Sequence, residues 1–174
     1  MDEKRYWIGI NLVKGIGAVR FRGLLDHFGD APSAWQASPN ALGSAGLSKK
    51  IVERFIQVRS TVDLDALWQK IEEQNIRVMT WSDADYPARL REIAQPPPVL
   101  YLRGEIKEED TWAVAIVGTR RVTSYGRQVT EEIASFLARN GVTVVSGLAR
   151  GVDGIAHQAA LNAGGRTLAI LGSG

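Results

Sequence analysis

With 174 residues, 45% of them hydrophobic and 23% charged, the chain has the make-up of one ordinary globular domain or two small ones, not of a disordered segment. It has no cysteine, which excludes a disulfide scaffold, thiolate metal ligation and thiol catalysis, and its two histidines are too few for a His-rich metal site. No apolar run reaches the roughly 18 residues of a membrane span, and the charged start MDEKRYW lacks a signal-peptide core, so the expected location is cytoplasmic.

The formal net charge of +2 looks neutral but is unevenly spread. Residues 1–60 carry +4, residues 61–110 carry −5 and residues 111–174 carry +3, so two basic modules flank an acidic connector. Every basic residue after position 110 is arginine: Arg120, Arg121, Arg127, Arg139, Arg150 and Arg166. Arginine is the side chain suited to fixed, bidentate phosphate contact.

The first module, residues 1–60, reads as short helices. The spacing in YWIGINLVKGIGAVRFRGLLDHFG is helical, and Gly15-Ile16-Gly17 interrupts it. Gly29, Asp30 and Pro32 end the next helix, PSAWQA (32–37) forms a small one with Ser33 or Ser38 as cap, and a second helix–turn–helix follows over 39–59. Two helix–hairpin–helix-like units make a small all-α module. The connector, 61–110, begins with an amphipathic helix in which Leu64, Leu67, Trp68 and Ile71 share a face. IRVMTW (76–81) and VLYLRG (99–104) read as strands, separated by a short helix after Asp85-Tyr86-Pro87 and by the stiff run Pro96-Pro97-Pro98.

From residue 111 the periodicity changes. AVAIVG (113–118), VTVVSG (142–147) and TLAILG (167–172) are continuous apolar runs, as strands of a buried parallel sheet are. Helices are expected over 124–140, with Ser124 as N-cap and Gly141 after its end, and over 151–165. The pattern βαβαβ is the first half of a doubly wound, Rossmann-like α/β sheet, truncated after its third strand. The expected organisation is a helical domain over 1–60, a connector over 61–110 and the first half of a Rossmann-like domain over 111–174.

Ligands of such sheets sit beyond the carboxyl ends of the strands. The loop in VGTRRVTSYGR (117–127) lies there, with Gly118 allowing close approach to the backbone, Thr119 offering a hydroxyl, and Arg120 and Arg121 offering cations. The loop in SGLARGVDGIAH (146–157) adds Ser146, Gly147, Arg150 and Gly151. An ordinary βα turn with solvated arginines is the plainer reading. Neither G-x-G-x-x-G nor a P-loop is present, and Ser146-Gly147 stands where a ribose-binding acid belongs, so a nicotinamide enzyme is disfavoured. Asp153 and His157, four residues apart on a helix, fit a general base with its orienting carboxylate, or else a helix-start acid and a packed histidine. Gly15, Gly17 and Arg20 form a secondary phosphate-contact candidate in the first module. His27 reads as structural. Trp7, Trp35, Trp68, Trp81 and Trp112 read as core and interface anchors, and Tyr125 is the one base-stacking candidate near the loops.

Together these segments resemble the DprA/Smf family, the bacterial DNA-processing protein A. WIGINLVKGIGAVRFRGLLDHFG is similar to its SAM-like helical module, DADYPARLREIAQPPPVLYLRG to its lead-in to the nucleotide-type fold, and AIVGTRRVTSYGR and VVSGLARGVDGIAHQAAL to its two signature loops. The resemblance implies an extended Rossmann fold without cofactor, metal or catalysis. It implies a protein that binds and protects single-stranded DNA and helps load RecA recombinase during natural transformation. The Gly118-Thr119-Arg120 loop, where the family usually has Ser at position 119, is then the phosphate-holding loop, and Ser146–Gly151 completes the pocket. In the family the loop matching Gly172-Ser173-Gly174 continues into strands that carry further basic residues, the homodimer surface and the RecA-contact surface, and some members add a winged helix. The competing readings are a phosphoribohydrolase-like Rossmann enzyme and a protein-interaction module.

Overall fold

Gly15 takes φ +106°, a left-handed conformation that costs glycine least, and reverses the chain between two helices, α1 (Lys4–Asn11) and α2 (Ala18–Phe28). The carboxylate of Asp30 then accepts a hydrogen bond from the Ser33 N–H at 2.7 Å and caps α3 (Ala31–Gln36). Ser38 caps the following helix, α4 (Pro39–Ser44), not the one before it. Next come α5 (Lys49–Thr61) and α6 (Leu64–Glu73). Strands β1 (Arg77–Thr80) and β2 (Val99–Leu102) pair antiparallel, Arg77 opposite Leu102, with the four-residue helix α7 (Ala88–Arg91) between them in sequence.

This computed structural model describes residues 3–172, and the chain divides into two compact units between Glu105 and Ile106. The core of the first unit runs through its helices into the segment after residue 60: Phe21, Leu24, Leu42 and Phe55 are fully buried, and Ile71, Val78 and Val99 join the same cluster. Residues 61–105 are thus part of the first unit and share its core. Trp7 stacks on Phe21 at 4.9 Å, and Trp81 meets both rings edge-on. Four of the tryptophans, Trp7, Trp35, Trp68 and Trp81, serve this core, whereas Trp112 is 76% exposed and stands outside both core clusters.

In the second unit β3 (Ala113–Ala115), β4 (Thr143–Ser146) and β5 (Thr167–Ala169) form a parallel sheet in that order. The crossovers are α8 (Ser124–Arg139) and α9 (Val152–Asn162). They pack on each other and on β4, around Val144, Ala134, Ala138, Ala156, Ala159 and Ala160. The α/β class and the βαβαβ order read from the sequence hold. Two details differ. Thr123, not Ser124, caps α8, its hydroxyl accepting from the Gly126 N–H at 3.1 Å. The outer apolar strands are shorter than the runs 113–118 and 167–172 and are not buried throughout: Val114 of β3 is exposed, as are Val117 and Ile170 just beyond the ends of β3 and β5, because among the described residues the two helices cover one face of the sheet. Ser173 and Gly174 of the final loop lie outside the described residues.

A part-buried ionic cluster closes the amino ends of the strands. The 3-10 turn Glu108–Thr111 places Asp110 against the Arg166 guanidinium (Oδ1–Nε 2.7 Å, Oδ2–Nη2 2.6 Å), and the Thr143 hydroxyl donates to Oδ1 at 2.8 Å. That bidentate contact holds the Asp110 carboxyl down at about 2, against the opposing effect of burial.

Candidate functional site

The two loops singled out in the sequence meet at the carboxyl ends of β3 and β4. They touch backbone to backbone. The Val152 N–H donates to the Thr119 carbonyl at 3.2 Å, and Gly151, with φ +94°, has Arg120 Cα within 2.7 Å of where its Cβ would stand. Any other residue at 151 combines a strained backbone with a collision that only movement of the other loop relieves.

A single carboxylate ties the loops together. Asp153, 7% exposed in the first turn of α9, accepts from the Gly118 N–H at 3.3 Å and from the Gly147 N–H at 3.1 Å. Burial pushes its carboxyl up, but these amide hydrogen bonds outweigh that and hold it below the usual carboxylate range. The glycines therefore act differently from the sequence expectation. The N–H groups of Gly118 and Gly147 point at Asp153 rather than at a ligand. Gly118 is bare because a Cβ there would stand 2.8 Å from Val152 Cγ2, and a Cβ on Gly147 would stand 3.0 Å from Asp153 Oδ2.

Ser146 is also turned inward: its hydroxyl is buried and donates to the Ile116 carbonyl at 2.5 Å. Thr119 Oγ1 accepts from the Arg121 N–H at 3.1 Å and shapes its own loop. What remains outward is cationic. Arg120, Arg121 and Arg150 are exposed and have no ion-pair partner among the described residues. The N–H groups of Thr119, Arg120, Arg150 and Gly151 have no backbone acceptor among the described residues. Three guanidinium forks and several amides are thus gathered at the ends of two adjacent parallel strands, a chemistry suited to an anion.

Asp153 and His157 share a helix face but no hydrogen bond. His157 Nδ1 lies 2.6 Å from Thr167 Oγ1, and that hydroxyl in turn donates to the Val144 carbonyl, so the ring nitrogen is the donor in the pair. His157 is 5% exposed, and burial lowers its pKa against the pull of Asp153. The Nδ1–H is thereby committed to Thr167, while the buried Nε2 has no hydrogen-bond partner among the described residues. Asp153 is the residue whose role the sequence obscured. An acid in a first helical turn reads as a dipole partner, and only the fold brings residues 118 and 147 to it.

The secondary candidates lie in the first unit. Gly17 is the N-cap of α2, and Gly15 is held by Arg20, whose Nη1 donates to the Gly15 carbonyl at 2.8 Å. Arg54 Nη1 donates to the neighbouring Lys14 carbonyl at 3.1 Å. Arg20 is thus a strut of the hairpin as well as a surface cation. Tyr125, at 77% exposure, stands in the first turn of α8.

Comparison with known proteins points one way. Residues 77–174 match the family described as DNA recombination-mediator protein A. A protein Smf from Synechocystis is 39% identical over 99% of this chain and 45% of its own length. A DNA processing protein DprA from Bacillus subtilis is 39% identical over 59% of this chain and 35% of its own. The crystal structure of DNA processing protein A from Streptococcus pneumoniae superposes with a TM-score of 0.74 at 27% identity, covering all of this chain and 59% of that one. The chain spans less than half the length of these two sequence relatives. Among the described residues no helix is long and apolar enough to cross a membrane, and no cluster of acids and histidines fits a metal ion.

Proposed function

The chain belongs to the DNA recombination-mediator protein A family, and from that premise we propose that its second unit binds single-stranded DNA by clamping phosphate at the ends of β3 and β4. Arg120, Arg121 and Arg150 supply the charge, the amides of Thr119, Arg120, Arg150 and Gly151 supply directed donors, and Gly118, Ser146, Gly147 and Asp153 hold the two loops together. The proposed role is binding rather than catalysis, which the commitment of both Asp153 carboxylate oxygens to the Gly118 and Gly147 amides supports. In the whole protein this site serves to protect single strands and to help deliver RecA recombinase to them, as a cytoplasmic homodimer. Gly15, Gly17 and Arg20 offer a further contact to the same polymer.

The observation that carries the reading is that three exposed arginines on two locked loops have no ion-pair partner among the described residues. Contact to phosphate without base readout is sequence-tolerant and steeply salt-dependent. A mobility-shift titration of the full-length protein with single- and double-stranded oligonucleotides at two salt concentrations tests it. The expected result is single-strand preference that weakens with salt and with Arg120→Ala. Equal affinity for both forms, or wild-type binding by Arg120→Ala, overturns it.

A further inference from the structure

We propose that the cleft between α8 and α9 seats a nucleoside of the same DNA strand, next to the phosphate clamped at the strand ends. This inference rests on the phosphate-clamp reading above. The cleft has a volume of about 510 Å³, within the range of roughly 300–1,000 Å³ usual for small-ligand sites. It is continuous with the loop site, because Arg150 and Gly151 belong to both.

Its walls are sorted by charge. Arg127 stands with Arg150 at the mouth, and Glu131 follows one turn further along α8. Arg127 Nη1 lies 3.6 Å from Glu131, and both side chains are more than half exposed, so this pair is weak and yields to a phosphate. Glu131 turns a second phosphate away from the interior. What the interior accepts is therefore the uncharged part of a nucleotide.

The α9 side of the cleft, where Gln158 and Asn162 are solvent-exposed, suits a base edge. Gln158 Nε2 donates to Asn162 Oδ1 at 2.8 Å, which leaves the Gln158 oxygen as acceptor and the Asn162 amide as donor, with no other partner among the described residues. Gly154 and Ala159 keep the α9 wall low, and Ser135 faces them from α8. A base can reach these carboxamides only with its hydrogen-bonding edge exposed, which favours a single strand over a duplex.

The test uses the full-length protein and two labelled probes of equal length, an oligothymidylate and an abasic oligonucleotide, read by fluorescence polarisation. Ser135→Phe fills the cleft, and Gln158→Leu removes its carboxamide from an exposed position. Each is expected to weaken oligothymidylate binding about three- to tenfold, the loss of one or two hydrogen bonds, and to leave the abasic probe unchanged. Circular dichroism melting confirms the fold, and Gln158→Leu carries the test if Ser135→Phe does not fold. The inference is overturned if the variants bind oligothymidylate like wild type while Arg120→Ala does not, or if they weaken both probes equally. If Arg120→Ala also binds like wild type, the phosphate-clamp reading falls with it.

Discussion

The carbonyl oxygen of Thr119 lies 2.3 Å from where a Cβ on Gly151 would stand. Gly151→Ala forces that contact apart and adds a strained φ, so the two loops separate. The expected cost is at least about 2 kcal/mol, with loss of single-strand binding. Urea denaturation and a polarisation titration read the two effects, and a variant with unchanged stability would show that the loops are not locked as described.

Asp153→Asn keeps the shape of the side chain but turns one acceptor into a donor facing a buried N–H. About 1–3 kcal/mol of destabilisation is expected, the cost of one unsatisfied buried group. The lowered pKa of Asp153 gives the sign of its pH dependence: its contribution is present above the ordinary carboxylate range and is lost as pH falls through the folded-state value. In Asp153→Asn that part of the acid sensitivity should vanish from thermal melts taken across pH.

Phosphate clamping by arginine predicts a count. Each of Arg120→Ala and Arg150→Ala should reduce the slope of log affinity against log salt by about one phosphate contact, roughly 0.7 for a single strand. An unchanged slope in either variant would remove that side chain from the phosphate-binding set.

Asp110 gives a second pH prediction, at the far end of the sheet. The gap between its ordinary 3.8 and about 2 in the fold corresponds to about 2 kcal/mol at neutral pH. Because the folded value is the lower one, this stability is complete above about pH 5 and is lost progressively as pH falls through about 2. Asp110→Asn should lose it at pH 7 and should narrow the difference from wild type in acid, as followed by denaturant titration at several pH values.

Much of this was legible in the residues. Apolar runs gave β3, β4 and β5, and glycine and proline punctuation gave the helical boundaries of the first unit. That Arg120, Arg121 and Arg150 would be gathered in one place was legible because two strand-to-helix turns of a parallel sheet must emerge on the same side. What stayed hidden depends on pairs far apart in sequence. Asp153 reaches Gly118 across 35 residues, and Asp110 reaches Arg166 across 56. Periodicity reports faces, not partners, so it placed Asp153 beside His157 and could not show that two amides had taken its oxygens. The acidic charge of residues 61–110 likewise says nothing of Ile71, Val78 and Val99, which bury themselves with the helices.

The strand-end loops separate what gives them shape from what gives them charge. Three glycines and the Asp153 carboxylate fix the path of the backbone, while the arginine side chains leave that path without helping to hold it. The arrangement is a socket with interchangeable pins. Replacing Arg121 or Arg150 by lysine, glutamine or an aromatic residue changes the chemistry the surface presents and leaves the mounting intact. The surface chemistry of this scaffold can be rewritten without refolding it.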